Sequence, residues 1–247
     1  MKIPRPAAAQ AGETTFDPIH PVDAFILAAG RGERLRPLTD HVPKPLIDIG
    51  GRPIIERHLE ALAAAGVRRV VINVAWLGEK IVGQVGDGRR FGLEIAYSRE
   101  TPGALDTAGG IVNALDLVHA ECFLLVNGDV CTDFDFADLA PAAGADGELV
   151  LVDNPPHHRG GDFVLRAGVV DLPRAGDDTL TYAGIAWLRR TLFEQLAPGR
   201  RALRTVLADV IARGRLRGRR HGGDWHDVGT PQRLDAARRA ASRLARR

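Results

Sequence analysis

The sequence predicts an α/β fold: a mainly parallel, doubly wound sheet flanked by helices. Three observations carry that reading. Apolar runs of strand length alternate with segments whose apolar residues recur at helical spacing, the pattern of parallel strands joined by helical crossovers. The first run, 23–29 (DAFILAA), is apolar on both faces, as a strand covered by helices on both sides must be. A glycine-rich segment follows it directly, at the carboxyl end of the sheet, where ligands of such folds sit.

The elements follow in order. Residues 53–65 (PIIERHLEALAAA) read as a helix, with Ile55, Leu59 and Leu62 on one face, Pro53 suited to its first turn and Gly66 to its stop. Residues 67–75 (VRRVVINVA) are the next strand, and 93–98 and 122–126 (CFLLV) are two more. A helix is expected over 109–117 (GGIVNALDL) between them. The second half changes character. Residues 148–153, 163–172 and 179–188 read as strands joined by Gly, Pro and Asp turns, suggesting an antiparallel or mixed layer added to the first sheet. Residues 203–213 should be helical, as should Pro231 onward. No repeat and no long linker divides the chain. The expectation is one domain over 23–247, preceded by a loose arm over 1–22 that is rich in Pro, Ala and polar residues.

Composition excludes several classes. A chain of 247 residues, 45% hydrophobic and 26% charged, can bury one sizeable core. With 33 Lys+Arg against 31 Asp+Glu the net charge is +2, which gives no nucleic-acid signal. The basic tail (Arg233, Arg238, Arg239, Arg243, Arg246, Arg247) carries no accompanying aromatics and reads as a solvated helix face. Apolar runs are too short to span a membrane, and 1–22 has no apolar core of a signal peptide. Cys122 and Cys131 make neither a disulfide scaffold nor a zinc pattern, so free thiols in a reducing cytoplasm are expected.

The chemistry concentrates after the first strand. Leu27-Ala-Ala-Gly-Arg-Gly-Glu-Arg-Leu-Arg-Pro-Leu-Thr39 is followed by Pro43-Lys-Pro-Leu46. Gly30 and Gly32 let backbone approach a ligand and turn N–H groups toward an anion, and Arg34 and Lys44 add positive charge. This is the physics of a polyphosphate cradle. A dinucleotide fingerprint would need a third glycine where Leu35 stands, and a Walker A loop would need Gly-Lys-Ser/Thr where Leu35-Arg36-Pro37 stands.

The string resembles the sugar-phosphate nucleotidyltransferases, whose signature it matches at every fixed position. The resemblance implies a Rossmann-like mixed α/β sheet and an enzyme that joins a sugar 1-phosphate to a nucleoside triphosphate with release of pyrophosphate. It implies a nucleotide-binding set of Gly30, Gly32, Glu33, Arg34 and Lys44, in which Arg34 and Lys44 carry the catalytic charge. Thr107 and Gly109 are the base-side candidates. A Mg²⁺ site is implied at Asp129, which closes an apolar strand in Val126-Asn-Gly-Asp-Val130, and at Asp227 in Trp225-His-Asp-Val-Gly-Thr-Pro231. Two carboxylates plus phosphate oxygens and waters suit that hard ion. The nucleophile, a sugar phosphate, is already ionised at neutral pH, so catalysis reduces to positioning and charge neutralisation.

Five further strings resemble the muramate-type uridylyltransferases within that family, which act in cell-wall recycling. They are 72–78 (INVAWLG), 86–92 (GDGRRFG), 127–136 (NGDVCTDFDF), 152–158 (VDNPPHH) and 161–163 (GDF). That likeness implies UTP and N-acetylmuramate α-1-phosphate as partners, with Asn127, Asp162 and Gly184 on the sugar. Two departures stand out. The Glu-Lys-Pro string of many relatives, whose Lys meets the sugar phosphate, is replaced by 152–155 (VDNP), as in the muramate type. The base-reading loop is 104–110 (ALDTAGG), with Asp106 and Ala108 in place of the usual Glu and Gly. His157, His158 and Arg159 read as loop residues, one of which could meet the lactyl carboxylate of muramate. Guanylyl transfer to another hexose 1-phosphate, such as mannose, is the enzyme alternative. A nucleotide-sugar sensor without turnover would be expected to have lost Arg34, Lys44, Asp129 or Asp227, and all four are present.

Overall fold

A computed structural model describes residues 23–100 and 105–244, so the arm expected over 1–22 lies outside the described residues. Strand β1 (Asp23–Leu27) is central, with β2 (Arg69–Val74) parallel on one side and β4 (Cys122–Asn127) parallel on the other. Strand β3 (Glu94–Arg99) extends this parallel set beyond β2. Helix α1 (Ile54–Ala64) follows the cradle, α2 (Gly78–Val85) joins β2 to β3, and α3 (Asp106–Asn113) precedes β4. Helices α4 (Leu203–Ala212) and α5 (Pro231–Leu244) belong to the second half.

The antiparallel strands do not form a separate layer; they continue the same sheet. Its order is β3-β2-β1-β4-β9-β6-β10-β8-β7, where β6 is Gly147–Val152, β7 Val164–Arg166, β8 Val169–Asp171, β9 Thr181–Arg189 and β10 Leu216–Arg220. Strand β9 runs antiparallel to both β4 and β6, and β10 returns parallel to β6. The apolar content of β6 and β9 reveals strands but not whether they stack on a sheet or join its edge. A two-stranded antiparallel ribbon, β5 (Val130–Thr132) with β11 (Trp225–Asp227), stands apart from the sheet.

Helices cover both faces. Ala24 and Ile26 of β1 pack with Ile55, Leu59 and Leu62 of α1 and with Ile81 and Val85 of α2. Phe25 points the other way, into a layer with Ile111 of α3 and Leu207, Val210 and Ile211 of α4. This is why the first strand reads as apolar throughout. A third, smaller cluster joins Leu35, Ile47, Ile49 and Ile54 to Val228, Leu234 and Ala237. It fastens the start of α5 to the loop that follows β1.

Other boundaries shift for identifiable reasons. The helix expected over 109–117 begins at Asp106 and ends at Asn113, with a short 3-10 turn over Leu115–Leu117. Asp106 takes a left-handed conformation (φ 61°) that the spacing of apolar residues does not encode. The strand expected over 163–172 is the β7–β8 hairpin, turned at Ala167 and Gly168, both at positive φ. Strand β10 (LRGRR) escapes the apolar pattern because its Arg219 pairs with Glu148 of β6. Helix α2 is short and carries two glycines, which weakens its signal.

His58 of α1 is buried beneath the Asn127–Val130 backbone, and its ring meets Phe136 edge-on at 6.3 Å between centroids. Burial lowers its pKa from 6.5 to about 4. The neutral ring is therefore favoured in the fold, and stability is lost as pH falls from 6.5 through about 4. The full loss is ~3 kcal/mol. In urea titrations across that window, His58→Phe should remove most of the acid slope; an unchanged slope would show that other groups set it.

Candidate active site

The parallel register sets the floor of the site. Leu27 pairs with Asn73 on one side and Asn127 on the other, so three strands end level. Beyond them opens a cleft of about 550 Å³. Gly30, Lys44, Thr107, Asn127 and Asp129 line it, together with Arg31, Asn73, Trp76, Glu100 and Asp106.

The cradle is built by turns. Gly32 sits at φ 71°, and a side chain there would collide with Thr39 at 2.9 Å and crowd Lys44. The Thr39 hydroxyl donates to the Gly32 carbonyl at 2.8 Å, closing the loop. A methyl at Gly30 would meet nothing within 4 Å, so its bare backbone faces open cleft. Lys44 enters the cleft from the Pro43–Pro45 turn and pairs with Asp129. Glu33 and Arg34 lie on an exposed 3-10 turn (Glu33–Leu35), outside the cleft lining.

The ribbon brings the second carboxylate close. Asp227 pairs with Val130, and the Val228 N–H donates to the Asp129 carbonyl at 2.8 Å. Each carboxylate is held by its own cation: Lys44 for Asp129, Arg233 for Asp227. His157 Nε2 also lies 3.3 Å from Asp227. Among the described residues no group of three or more His, Cys, Asp or Glu converges as a complete metal cage.

Of the residues expected to meet the sugar, Gly184 lies at φ 76°, where a side chain would run into the Asn127 side chain at 2.6 Å. The two candidates are thus in contact. Asp162 has its carboxylate engaged: it accepts from the Tyr182 N–H at 2.9 Å and faces His158 Nε2 at 3.1 Å. It ties the loop before β7 to β9. Asn154, in the segment where relatives carry a lysine, is also structural, donating to the Thr179 hydroxyl at 2.8 Å and accepting from that of Thr181 at 2.9 Å. His157 and His158 turn to different partners, Asp227 and Asp162, from the turn that the His158 N–H closes onto the Pro155 carbonyl at 2.9 Å.

Thr107 lines the cleft but Gly109 does not. Gly109 packs against the loop before α4, where a side chain would lie 2.3 Å from the Gly199 carbonyl. The glycine that borders the cleft residues is Gly110, where a side chain would meet Glu100 Oε1 at 2.6 Å and Asn73 Nδ2 at 2.9 Å. Glu100 and Asn73 are functional candidates that the apolar pattern passes over. Asn73 accepts from the Ala28 N–H at 2.7 Å and donates to Glu100 at 2.7 Å, bridging the ends of β1 and β3. A signal was available for Asn73, a lone polar residue near the end of the apolar strand β2, whereas Glu100 follows the polar strand β3 (EIAYSR) and carried none. Arg31 stacks over Trp76 with its guanidinium carbon 3.4 Å from the ring centroid, forming the cleft's rim. No spacing rule pairs those two.

The parallel strand ends, the glycine cradle and the two cation-held carboxylates define a phosphate-handling transferase site. The chain belongs to the nucleotidyl transferase family, which residues 23–176 match. It is 46% identical over 225 residues to the N-acetylmuramate alpha-1-phosphate uridylyltransferase of Neisseria meningitidis, covering 88% of this chain and 97% of that one. It is 31% identical to a mannose-1-phosphate guanylyltransferase of Mycobacterium tuberculosis, covering 86% of this chain and 62% of that one. Among solved structures, HddC of Yersinia pseudotuberculosis, complexed with GMP-PN, shares the fold with a TM-score of 0.73 at 22% identity, covering 89% and 99% of the two chains. A Bacillus anthracis protein solved with sucrose does so at 0.78 and 20% identity, covering 89% and 95%.

Burial raises the pKa of Glu100, against the opposing hydrogen bonds from Asn73 and the Leu105 backbone. The stability tied to its neutral form is therefore present below the ordinary carboxyl range and lost as pH rises through the raised value. Glu100→Gln keeps an oxygen for Asn73 and should flatten the fall in urea midpoint as pH rises above the ordinary carboxyl range. A variant with the wild-type pH slope would overturn this assignment.

Proposed function

We propose that the protein transfers the uridylyl group of UTP to N-acetylmuramate α-1-phosphate and releases pyrophosphate. The observation that carries this reading is the 46% identity to the Neisseria uridylyltransferase over nearly the whole of both chains. The site supports it chemically. A sugar-phosphate oxygen attacks the α-phosphorus, and the bond from that phosphorus to the bridging oxygen breaks, so the electron pair leaves on pyrophosphate. Lys44, 15% exposed at the cleft wall, neutralises charge on the reacting phosphates, and Gly30 and Gly32 admit them close to backbone N–H groups. Arg34 holds the outer phosphates through its planar fork. Asn127, against Gly184, offers donor and acceptor atoms to the sugar.

Glu100 is the base-side group we add to Thr107. Its carboxylate can accept from the imide N–H of uracil, and equally from guanine, whereas adenine and cytosine present no N–H at that ring position. The Mycobacterium guanylyltransferase keeps guanylyl transfer to mannose 1-phosphate as the second reading. Asp129 and Asp227 fit Mg²⁺: they are hard oxygen donors in positions that already demand cations, and the missing ligands are those that waters and phosphate oxygens provide. Bound there, the ion would polarise phosphoryl oxygens and balance developing charge. The reading places the enzyme in the cytoplasm, in the reuse of cell-wall amino sugar.

A matrix of four nucleoside triphosphates against N-acetylmuramate, N-acetylglucosamine, glucose and mannose 1-phosphates, scored by pyrophosphate release, tests it. UTP with the muramate phosphate should exceed every other pair by at least about tenfold in kcat/KM. GTP with mannose 1-phosphate in first place would replace the reading. Asp129→Asn and Asp227→Asn should each nearly abolish turnover with the fold retained; near wild-type rates at saturating Mg²⁺ would remove the metal assignment.

A further inference from the structure

Arg233, in the first turn of α5, stands apart from the solvated tail to which the sequence assigns it. Its side chain is 16% exposed, and Nη1 is bonded to Asp227. Its Nε is buried without a partner. A methyl added at Gly229 would lie 2.0 Å from Arg233 Nη2 and 3.3 Å from Arg34 Nη2. The heads of two arginines therefore face one point, over a residue with no side chain. Among the described residues Arg34 has no ion-pair partner, and the carboxylate nearest the pair, Asp227, is bonded to Arg233. Like charges held this close call for a second anion, and paired planar forks suit the oxygens of a phosphate. Asp227 fixes one edge of Arg233 and leaves Nη2 to donate.

The position suits a polyphosphate. Asp227 is registered with Val130, next to Asp129, which Lys44 holds at the cleft wall. Cations thus continue from the cleft, through Lys44, to the Arg34–Arg233 pair beyond it. We propose that Arg233 is a substrate-binding residue that, with Arg34, grips the outer phosphates of the nucleoside triphosphate, the part that departs as pyrophosphate. This rests on the nucleotidyl-transfer reading above, but not on which base is used. If Arg233 served only to hold Asp227, Gly229→Ala, which keeps that pair's charges, would be blind to the number of phosphates.

Calorimetric titration of the full chain with UMP, UDP and UTP, in EDTA and again with Mg²⁺, separates the two. Arg233→Ala should weaken UTP binding about tenfold or more while UMP stays within about twofold, the scale of one lost charge-assisted hydrogen-bonding group. Arg233→Lys, which keeps the charge but not the fork, should fall between. Gly229→Ala, which leaves every charge in place and displaces only the flexible arginine tips, should also weaken UTP more than UMP. Equal loss for UMP and UTP, or no loss for UTP, in both Arg233→Ala and Gly229→Ala would overturn the proposal. The same series run with GMP, GDP and GTP keeps the outcomes distinct. Tighter binding of guanosine nucleotides would count against the uridylyl reading, while the phosphate-number contrast would still decide the role of Arg233.

Discussion

The level ending of three parallel strands is the constraint on which the site depends. Because Leu27 is in register with both Asn73 and Asn127, the chain leaves β1, β2 and β4 at the same height. The Ala28 N–H, left without a strand partner there, is taken up by Asn73 at 2.7 Å, and the Gly128 N–H by the Leu27 carbonyl at 2.9 Å. A side chain at Gly128 would sit 2.6 Å from that carbonyl, so the turn carrying Asp129 can lie this close only as glycine. Backbone hydrogen bonding, which a buried chain must satisfy, thereby fixes the distance between cradle and carboxylate.

A second constraint ties the far end of the chain to this floor. Leu35 and Ile47 come from the cradle segment, Val228 and Leu234 from the ribbon and α5, and they share one buried cluster. Burial of those side chains holds Arg34, Lys44, Asp227 and Arg233 together although they are distant in sequence. The charges themselves could not do this. Lys44 with Asp129 and Arg233 with Asp227 are partly exposed pairs, which contribute little to holding a fold. Apolar packing, not ion pairing, positions these charges.

The two halves of the molecule have different duties around the cleft. The parallel half supplies the cradle, Lys44, Asn127 and Asp129 on strand ends and short turns. Strand β9, antiparallel beside β4, brings Gly184 against Asn127 and, through Tyr182, anchors Asp162. An in-plane extension of the sheet achieves this because β9 shares an edge with the strand that ends in Asn127. A stacked layer could not have placed Gly184 there.

The sequence by itself determined the parallel half, because strands buried on both faces and amphipathic helices leave periodic apolar signals that Asp23–Leu27 and Ile54–Ala64 display. It also placed two glycines, Arg34 and Lys44 within one short string, the pattern of a phosphate cradle. It exposed Asp129 and Asp227 as carboxylates of matched strings, but not that each faces its own cation. Only the tertiary structure decided that β10, an arginine-rich strand, enters the sheet through Arg219 and Glu148. Only it decided that Gly110 rather than Gly109 borders the cleft, that Asn73 and Glu100 bridge strand ends, and that Arg233 meets Arg34 over Gly229. The physical reason is common to these cases. Local sequence encodes which face of an element is buried, whereas ion pairs, glycine contacts and buried hydrogen bonds depend on which distant segment arrives opposite.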